Sequence, residues 1–265
     1  CNQFCSYCII PFARGRVRSR KLEDIIAEVT GLAETGYQEI ILTGIHLSSY
    51  GIDFITSGNG DYLEGGNAKD LAQQKGYLLQ VIEAIAGIPG IIRIRLGSLE
   101  PRIITEPFVR RLSLIKKVCP HFHLSLQSGC DDTLKRMNRH YLAGEYFEKV
   151  ELVRRYYEHP AITTDIIVGF PGETEAEFLQ TEKFLSRVGF YEMHIFKYSS
   201  RKGTAAAAMP DQVPDPVKAG RSEKLQKLAS EQTRNYLSYY IGKEIDILIE
   251  EEKIIDGIKY QVGHN

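Results

Sequence analysis

The sequence has no run approaching eighteen consecutive apolar residues, which excludes a membrane-spanning helix. No signal peptide is visible, and the chain begins at Cys1 rather than methionine, so its 265 residues are expected to be a piece of a longer protein. A dispersed, even set of cysteines is also missing. The five fall at positions 1, 5, 8, 119 and 130, a poor disulfide framework at this size and a better match to reduced thiols in a cytoplasmic protein. Net charge is nearly absent, at −1, yet no acid precedes Glu23 while Arg14, Arg16, Arg18, Arg20 and Lys21 do. That end carries +5 and the remainder −6, a local patch able to recruit a polyanion. What is present, 43% hydrophobic and 25% charged residues, is a globular chain long enough for a large core.

From residue 22 onward two periods alternate. LEDIIAEVTGLAETG carries a helical apolar stripe ended by Gly36, and EIILTG follows as a short strand. The same order recurs with YLLQVIEAIAG and IIRIRLGS, a helix around 105–118 and HFHLSLQSG, a helix near 143–158 and AITTDIIVGF, and a helix near 173–188 and YEMHIFKYS. Five helix-then-strand units imply parallel strands with right-handed crossovers, as an open doubly wound sheet or a barrel. Strand parity favours the barrel. Phe122, Leu124 and Leu126 oppose His123, Ser125 and Gln127, and Ile162, Thr164, Ile166 and Val168 oppose Thr163, Asp165 and Ile167. A strand sandwiched between helix layers would be apolar on both faces. Residues 51–76 read as a long Gly-, Asn- and Asp-rich loop. After a proline-containing linker, a helix at about 217–240 leads to a hairpin turning at Asp256-Gly257.

CNQFCSYC places three thiols within eight residues. Zinc would need a fourth ligand, with Cys130, His121 or His123 as candidates. A [4Fe–4S] cluster takes three thiolates more naturally and leaves one iron open; spacing favours the cluster.

C-x3-C-x2-C with Tyr7 before the third cysteine resembles the signature of the radical S-adenosylmethionine (SAM) superfamily. The longer run CNQFCSYCIIPFARGRVRSR, with TGIHLSSYG, RIRLGSLEP, HLSLQSGCDDTLKRMNR, TDIIVGFPGETEAEF and YSSRKGTAA, is similar to the methylthiotransferases within it. The likeness covers residues 1 to about 205, and the tail hairpin resembles the start of a TRAM domain. RGRVRSR and LTGIHLSSYG look like the branch acting on N6-threonylcarbamoyladenosine beside the tRNA anticodon. Sister branches act on isopentenyladenosine in tRNA or an aspartate of a ribosomal protein.

The resemblance implies an α/β partial (β/α)6 barrel over 1–205 lacking its first strand, a linker and helix over 206–241, and the start of a small β-domain over 242–265. It implies that Cys1, Cys5 and Cys8 hold a [4Fe–4S] cluster whose free iron is chelated by SAM, and that an electron donor reduces the cluster so that the sulfonium splits to a 5′-deoxyadenosyl radical. Tyr7, Thr43, Gly44, Ser98, Glu100, Gln127, Ser128, Arg139, Asp165 and Glu173 are then the expected SAM neighbours, most of them at strand C-terminal ends. Arg14, Arg16, Arg18, Arg20 and Lys21 are the expected RNA contacts; if extended, the four arginines share one side. Plainer readings stand beside these. Glu173 also suits a helix N-terminus, Asp165 or Gln127 suits a lumen position satisfied by neighbours, and the arginines suit a solvated loop. Cys119, at the end of an apolar helix, and Cys130 read as buried packing residues, and His46 as a substrate-choice or satisfied surface histidine. In the family an upstream domain with three further cysteines holds a second cluster. Residues 1–265 are therefore expected to hold one cluster without completing methylthiolation. A non-enzymatic zinc module binding RNA through its arginines is the alternative of another class.

Overall fold

The computed structural model describes residues 1–55 and 75–265. Most of the expected 51–76 loop lies outside the described residues, apart from a 3-10 turn at Ile52–Phe54. A short helix α1 (Ile10–Arg14) precedes α2 (Leu22–Glu34) and strand β1 (Glu39–Leu42). Helix α3 (Tyr77–Ala86) buries Leu78, Leu79, Val81, Ile82 and Ile85 and feeds β2 (Arg93–Leu96). Next come α4 (Glu106–Ser113), β3 (His121–His123), α5 (Asp131–Arg136), α6 (Ala143–Tyr156) and β4 (Ala161–Val168). The chain continues as α7 (Glu175–Val188), β5 (Glu192–Lys197), α8 (Asp215–Ser238), β6 (Leu248–Ile255) and β7 (Ile258–His264).

β1 pairs with β2, and β3 with β4 and β4 with β5, all in parallel. The two sets join where the Leu99 amide donates to the His123 carbonyl at 2.9 Å and the Cys119 amide to the Ile94 carbonyl at 2.9 Å. The result is one curved parallel wall in the order β1-β2-β3-β4-β5. Ile94, Leu96, Phe122, Leu124, Leu126, Ile162, Ile166 and Val168 are buried on the helix-covered side. Arg93, Arg95, His123, Asp165 and His194 alternate with the buried positions of their strands and face the concave side. Hydrophobic burial on one face and polar side chains on the other match a sheet coiled toward a barrel with a polar lumen, the coiling itself coming from strand twist and stagger.

Three expectations need correction. The helix anticipated over 105–118 stops at Ser113; Leu114 is left 72% exposed while the chain turns to bring Val118 beside Ile94. Arg14 does not join an extended arginine stripe, because Pro11 starts the α1 turn and Gly15, at φ +71°, ends it. Only Arg16, Arg18 and Arg20 follow the extended alternation, exposed beside the more covered Val17 and Ser19. Cys119 lies in the connection to β3 and not at a helix end; burial pushes its thiol up.

β6 and β7 form an antiparallel hairpin that meets the strands' N-terminal ends. Arg93 donates to the Asp246 and His264 carbonyls, each at 2.8 Å, and His264 Nε2 lies 3.1 Å from the Glu39 carboxylate. No helix of the described residues is long and apolar enough to cross a membrane.

Candidate active site at the barrel mouth

The cysteine loop is fastened across the C-terminal ends of the strands. The Ser6 amide donates to the Met137 carbonyl at 3.0 Å and its hydroxyl to the Arg136 carbonyl at 2.8 Å. Asn138 Nδ2 donates to the Phe4 carbonyl at 2.8 Å, and the Ala206 amide to the Ser6 carbonyl at 2.8 Å. Beneath the loop a small separate core of Met137, Phe170, Tyr198 and Ala206 packs against Tyr7. Segments following β3, β4 and β5 thus converge on residues 4–8, so the loop's position is set by the barrel.

Cys1, Cys5 and Cys8 are free and half-buried. Arg139 Nη1 donates to Cys5 Sγ at 3.3 Å, Nε to the Tyr141 hydroxyl at 2.9 Å, and Nη2 to the Ser125 carbonyl at 3.3 Å. Among the described residues no carboxylate pairs with Arg139, so its charge is directed at the thiol. A cation there complements the negative charge that an anionic ligand of the loop would bring. Three soft donors with a guanidinium beside one of them fit an anionic iron–sulfur cluster held by three thiolates. The zinc alternatives fare less well. His121 and His123 lie low on β3, with His123 engaged by Thr163 and Asp165, and Cys130 is buried at the start of α5.

Glu100 sits next to the loop. Gln3 Nε2 donates to its Oε2 at 3.2 Å and lies 2.9 Å from His46 Nε2, while Arg102 donates to Oε1. Burial alone would raise the Glu100 carboxyl; the hydrogen bonds from His46 and Arg102 outweigh it and hold the pKa down at about 2. His46 is also 2.6 Å from the Ser49 hydroxyl, so it is a member of this network. Gln3 and Tyr141 escape sequence reasoning, because nothing in an isolated Gln signals a partner 97 residues away, nor in an isolated Tyr the Ser125 and Leu126 carbonyls that its hydroxyl meets.

Thr43, Gly44 and Ser98 are exposed at the mouth. Thr43 and Gly44 line a groove of about 920 Å³ along the β1 edge that also touches Cys1, His46, Arg14, Arg16, Arg18 and Arg20. Gln127, at φ +76°, ends the β3 segment with its amide donating to the Asp165 carbonyl at 2.8 Å. Lys21 precedes α2, and Arg20 is ion-paired with Glu28. Three side chains are committed elsewhere. Ser128 is fully buried, with its hydroxyl 3.1 Å from that of Thr181 on α7. Tyr7 packs edge-on against Phe170 at 6.2 Å, and burial pushes its hydroxyl far up. Glu173 accepts from the Gly169 amide at 2.5 Å and from Arg221 at 2.8 Å, with both side chains under a tenth exposed. It clamps the GFPGE turn, whose Gly169 and Gly172 adopt φ +71° and +76°, so its carboxylate is engaged within the turn and by α8. Asp165 faces the lumen below the mouth.

Residues 1–185 match the model of the radical SAM superfamily. The chain therefore belongs to the radical SAM superfamily, whose members use a [4Fe–4S] cluster and SAM. It is 43% identical over 250 residues to the tRNA-2-methylthio-N(6)-dimethylallyladenosine synthase of Thermoanaerobacter sp. (strain X514), covering 94% of this chain and 49% of the relative. It is 39% identical over 251 residues to the threonylcarbamoyladenosine tRNA methylthiotransferase MtaB of Bacillus subtilis (strain 168), covering 95% and 52%. The chain thus spans about half the length of the curated relatives it matches. Coproporphyrinogen III oxidase from Escherichia coli, described as a radical SAM enzyme, superposes with a TM-score of 0.57 at 15% identity, over 88% of this chain and 50% of that one. The TsrM methyltransferase from Kitasatospora setae does so at 0.58 and 16%, over 78% and 37%. These likenesses establish the TIM-barrel-like fold.

Proposed function

We propose that this chain is the radical SAM core of a cytoplasmic tRNA methylthiotransferase acting at C2 of N6-threonylcarbamoyladenosine beside the anticodon. The observation that carries the reading is the loop of Cys1, Cys5 and Cys8, fastened on the barrel mouth with the acid-free Arg139 guanidinium 3.3 Å from Cys5 Sγ. The three thiolates would hold the cluster, which when bound would supply one-electron chemistry to SAM. Arg139 is oriented by Tyr141 and Ser125 to meet negative charge, that of the cluster or of the SAM carboxylate. Glu100, ionised and half-buried, accepts from the SAM amino group or ribose hydroxyls, and Thr43, Gly44, Ser98 and Gln127 border the same mouth. Arg14, Arg16 and Arg18 flank the groove leading to Cys1 and take RNA phosphates, while the target adenine is splayed out into the mouth.

The substrate branch rests on RGRVRSR and LTGIHLSSYG. The second segment touches the cysteine loop through the 2.9 Å Gln3–His46 contact, which supports a part for it in choosing the base. The runner-up is isopentenyladenosine, favoured by the identity to the dimethylallyladenosine relatives. The full reaction draws on a second cluster, which the resemblance assigns to a domain outside residues 1–265.

Nucleoside mass spectrometry of tRNA tests both levels. Deleting the gene is expected to abolish the 2-methylthio derivative of threonylcarbamoyladenosine. The intact gene restores it and the Cys5→Ala gene does not. Loss of the isopentenyl derivative instead transfers the proposal to the runner-up. Loss of neither overturns it.

A further inference from the structure

A second group of metal-type ligands lies inside the barrel, apart from the cysteine loop. β3, β4 and β5 are neighbours, with His123 opposite Thr163 and Asp165 opposite His194. Because alternate side chains share a face, His123, Thr163, Asp165 and His194 all project into the lumen. One ligand atom from each of His123, Asp165 and His194 lies within 4.8 Å of the other two. Asp165 and His194 each sit three residues before the mouth ends of β4 and β5, about 10 Å deeper at ~3.3 Å per residue, and His123, opposite Thr163, lies at least as deep. The cluster and SAM residues discussed above do not include His123 or His194.

We propose that His123, Asp165 and His194 bind a divalent transition metal, with zinc as the reference ion. His123 Nε2 and Asp165 Oδ2 are 3.2 Å apart, close to the ~3.4 Å edge of a tetrahedron built on metal bonds of about 2.1 Å. His123 Nδ1 is 3.0 Å from the Thr163 hydroxyl. That outer contact leaves Nε2 as the ligating nitrogen and fixes the ring, the arrangement that metal-binding histidines use. The His194 ring lies 5.9 Å from the His123 ring with planes 23° apart. The two imidazoles are thus stacked nearly parallel, with a ring nitrogen of each within 4.8 Å of the other and of an Asp165 oxygen.

Exposure is graded across the set: 13% for the His123 side chain, 29% for Asp165 and 46% for His194. One side of the site is closed by the strands and the other opens to the lumen. Two imidazoles and one carboxylate with an open position suit zinc or ferrous iron better than calcium or magnesium. The open position would take water or an oxygen of a molecule entering the lumen. His194, the most exposed, is the ligand able to close on the ion without disturbing the core.

The test uses protein whose cysteines are already occupied by the reconstituted cluster. After chelator treatment and desalting, zinc is titrated in anaerobically, and zinc, iron and sulfide are measured per chain. Zinc-edge X-ray absorption then reports the ligands. The expected result is one zinc per chain with a nitrogen/oxygen shell and no sulfur. It is lost in His194→Ala and bound about tenfold or more weakly in Thr163→Val, the outer-contact variant, with iron and sulfide unchanged in both. Thr163→Val keeps the buried volume, so its circular dichroism and melting serve as the folding control. No stoichiometric zinc, a sulfur shell, or undiminished zinc in His194→Ala would each overturn the proposal. None of these readouts depends on SAM cleavage or on tRNA, so the methylthiotransferase reading stands or falls separately.

Discussion

At the scale of single residues, Glu100 is where local electrostatics is most exposed to measurement. Its carboxyl is held at about 2, against an ordinary 4.5, because His46 and Arg102 outweigh its burial. As pH falls below 4.5 the unfolded chain binds this proton first and the folded chain resists it. Stability contributed by Glu100 is therefore complete above 4.5 and disappears as pH drops toward 2. A shift of that size corresponds to at most about 3 to 4 kcal/mol. Denaturant unfolding of the cluster-free chain should show wild type more stable than Glu100→Gln at pH 5, with the gap shrinking by pH 3. Parallel curves for the two proteins between those pH values would refute the network as the cause. The same residue illustrates what sequence conveys: its place after β2 was legible from RIRLGSLEP, but its partners Gln3 and His46 come from two other loops, which no local pattern announces.

At the scale of elements, period and parity carried most of the fold. The alternation in AITTDIIV identified β4 and its two faces because one face is buried and the other lines a lumen. Short elements were illegible: α5, six residues long, offers too few turns for a periodic stripe, and at Arg14 alone the α1 turn begun at Pro11 replaces the extended reading. For Glu173, sequence offered a mouth ligand or a helix-start charge. The structure makes it a clamp between the GFPGE turn and α8, because Arg221 lies some fifty residues later on a helix whose docking face is weakly apolar. Removing one member of a buried ion pair leaves the other uncompensated and costs about 3–5 kcal/mol, whereas removing both costs less. Arg221→Met should thus destabilise the chain by that amount, and Glu173→Leu with Arg221→Met by distinctly less than the two single losses combined. Thermal or denaturant melts of the four proteins decide it; simple additivity would show that the pair is not coupled.

At the scale of the whole molecule, a near-zero net charge conceals a basic edge. Arg14, Arg16, Arg18, Arg20 and Lys21 stand against −6 on the remainder, and the four arginines line the groove that reaches Cys1, Thr43 and Gly44. An anion as large as an RNA loop meets that groove as a whole, so its affinity should follow counterion release, with log affinity falling linearly against log salt. Arginines in this set are not equivalent. Arg20 already pairs with Glu28, so recruiting it to a phosphate breaks an existing contact, whereas Arg14 and Arg18 are exposed with no carboxylate in an ion pair among the described residues. Each phosphate contact contributes about 0.7 to 0.9 to the slope. Binding of a tRNA anticodon stem-loop across a salt series should therefore lose roughly 1.5 in slope in the Arg14→Gln, Arg18→Gln double variant and distinctly less in Arg20→Gln. If the double variant keeps the wild-type slope while binding elsewhere persists, the arginines are a solvated edge and the RNA approaches from another side.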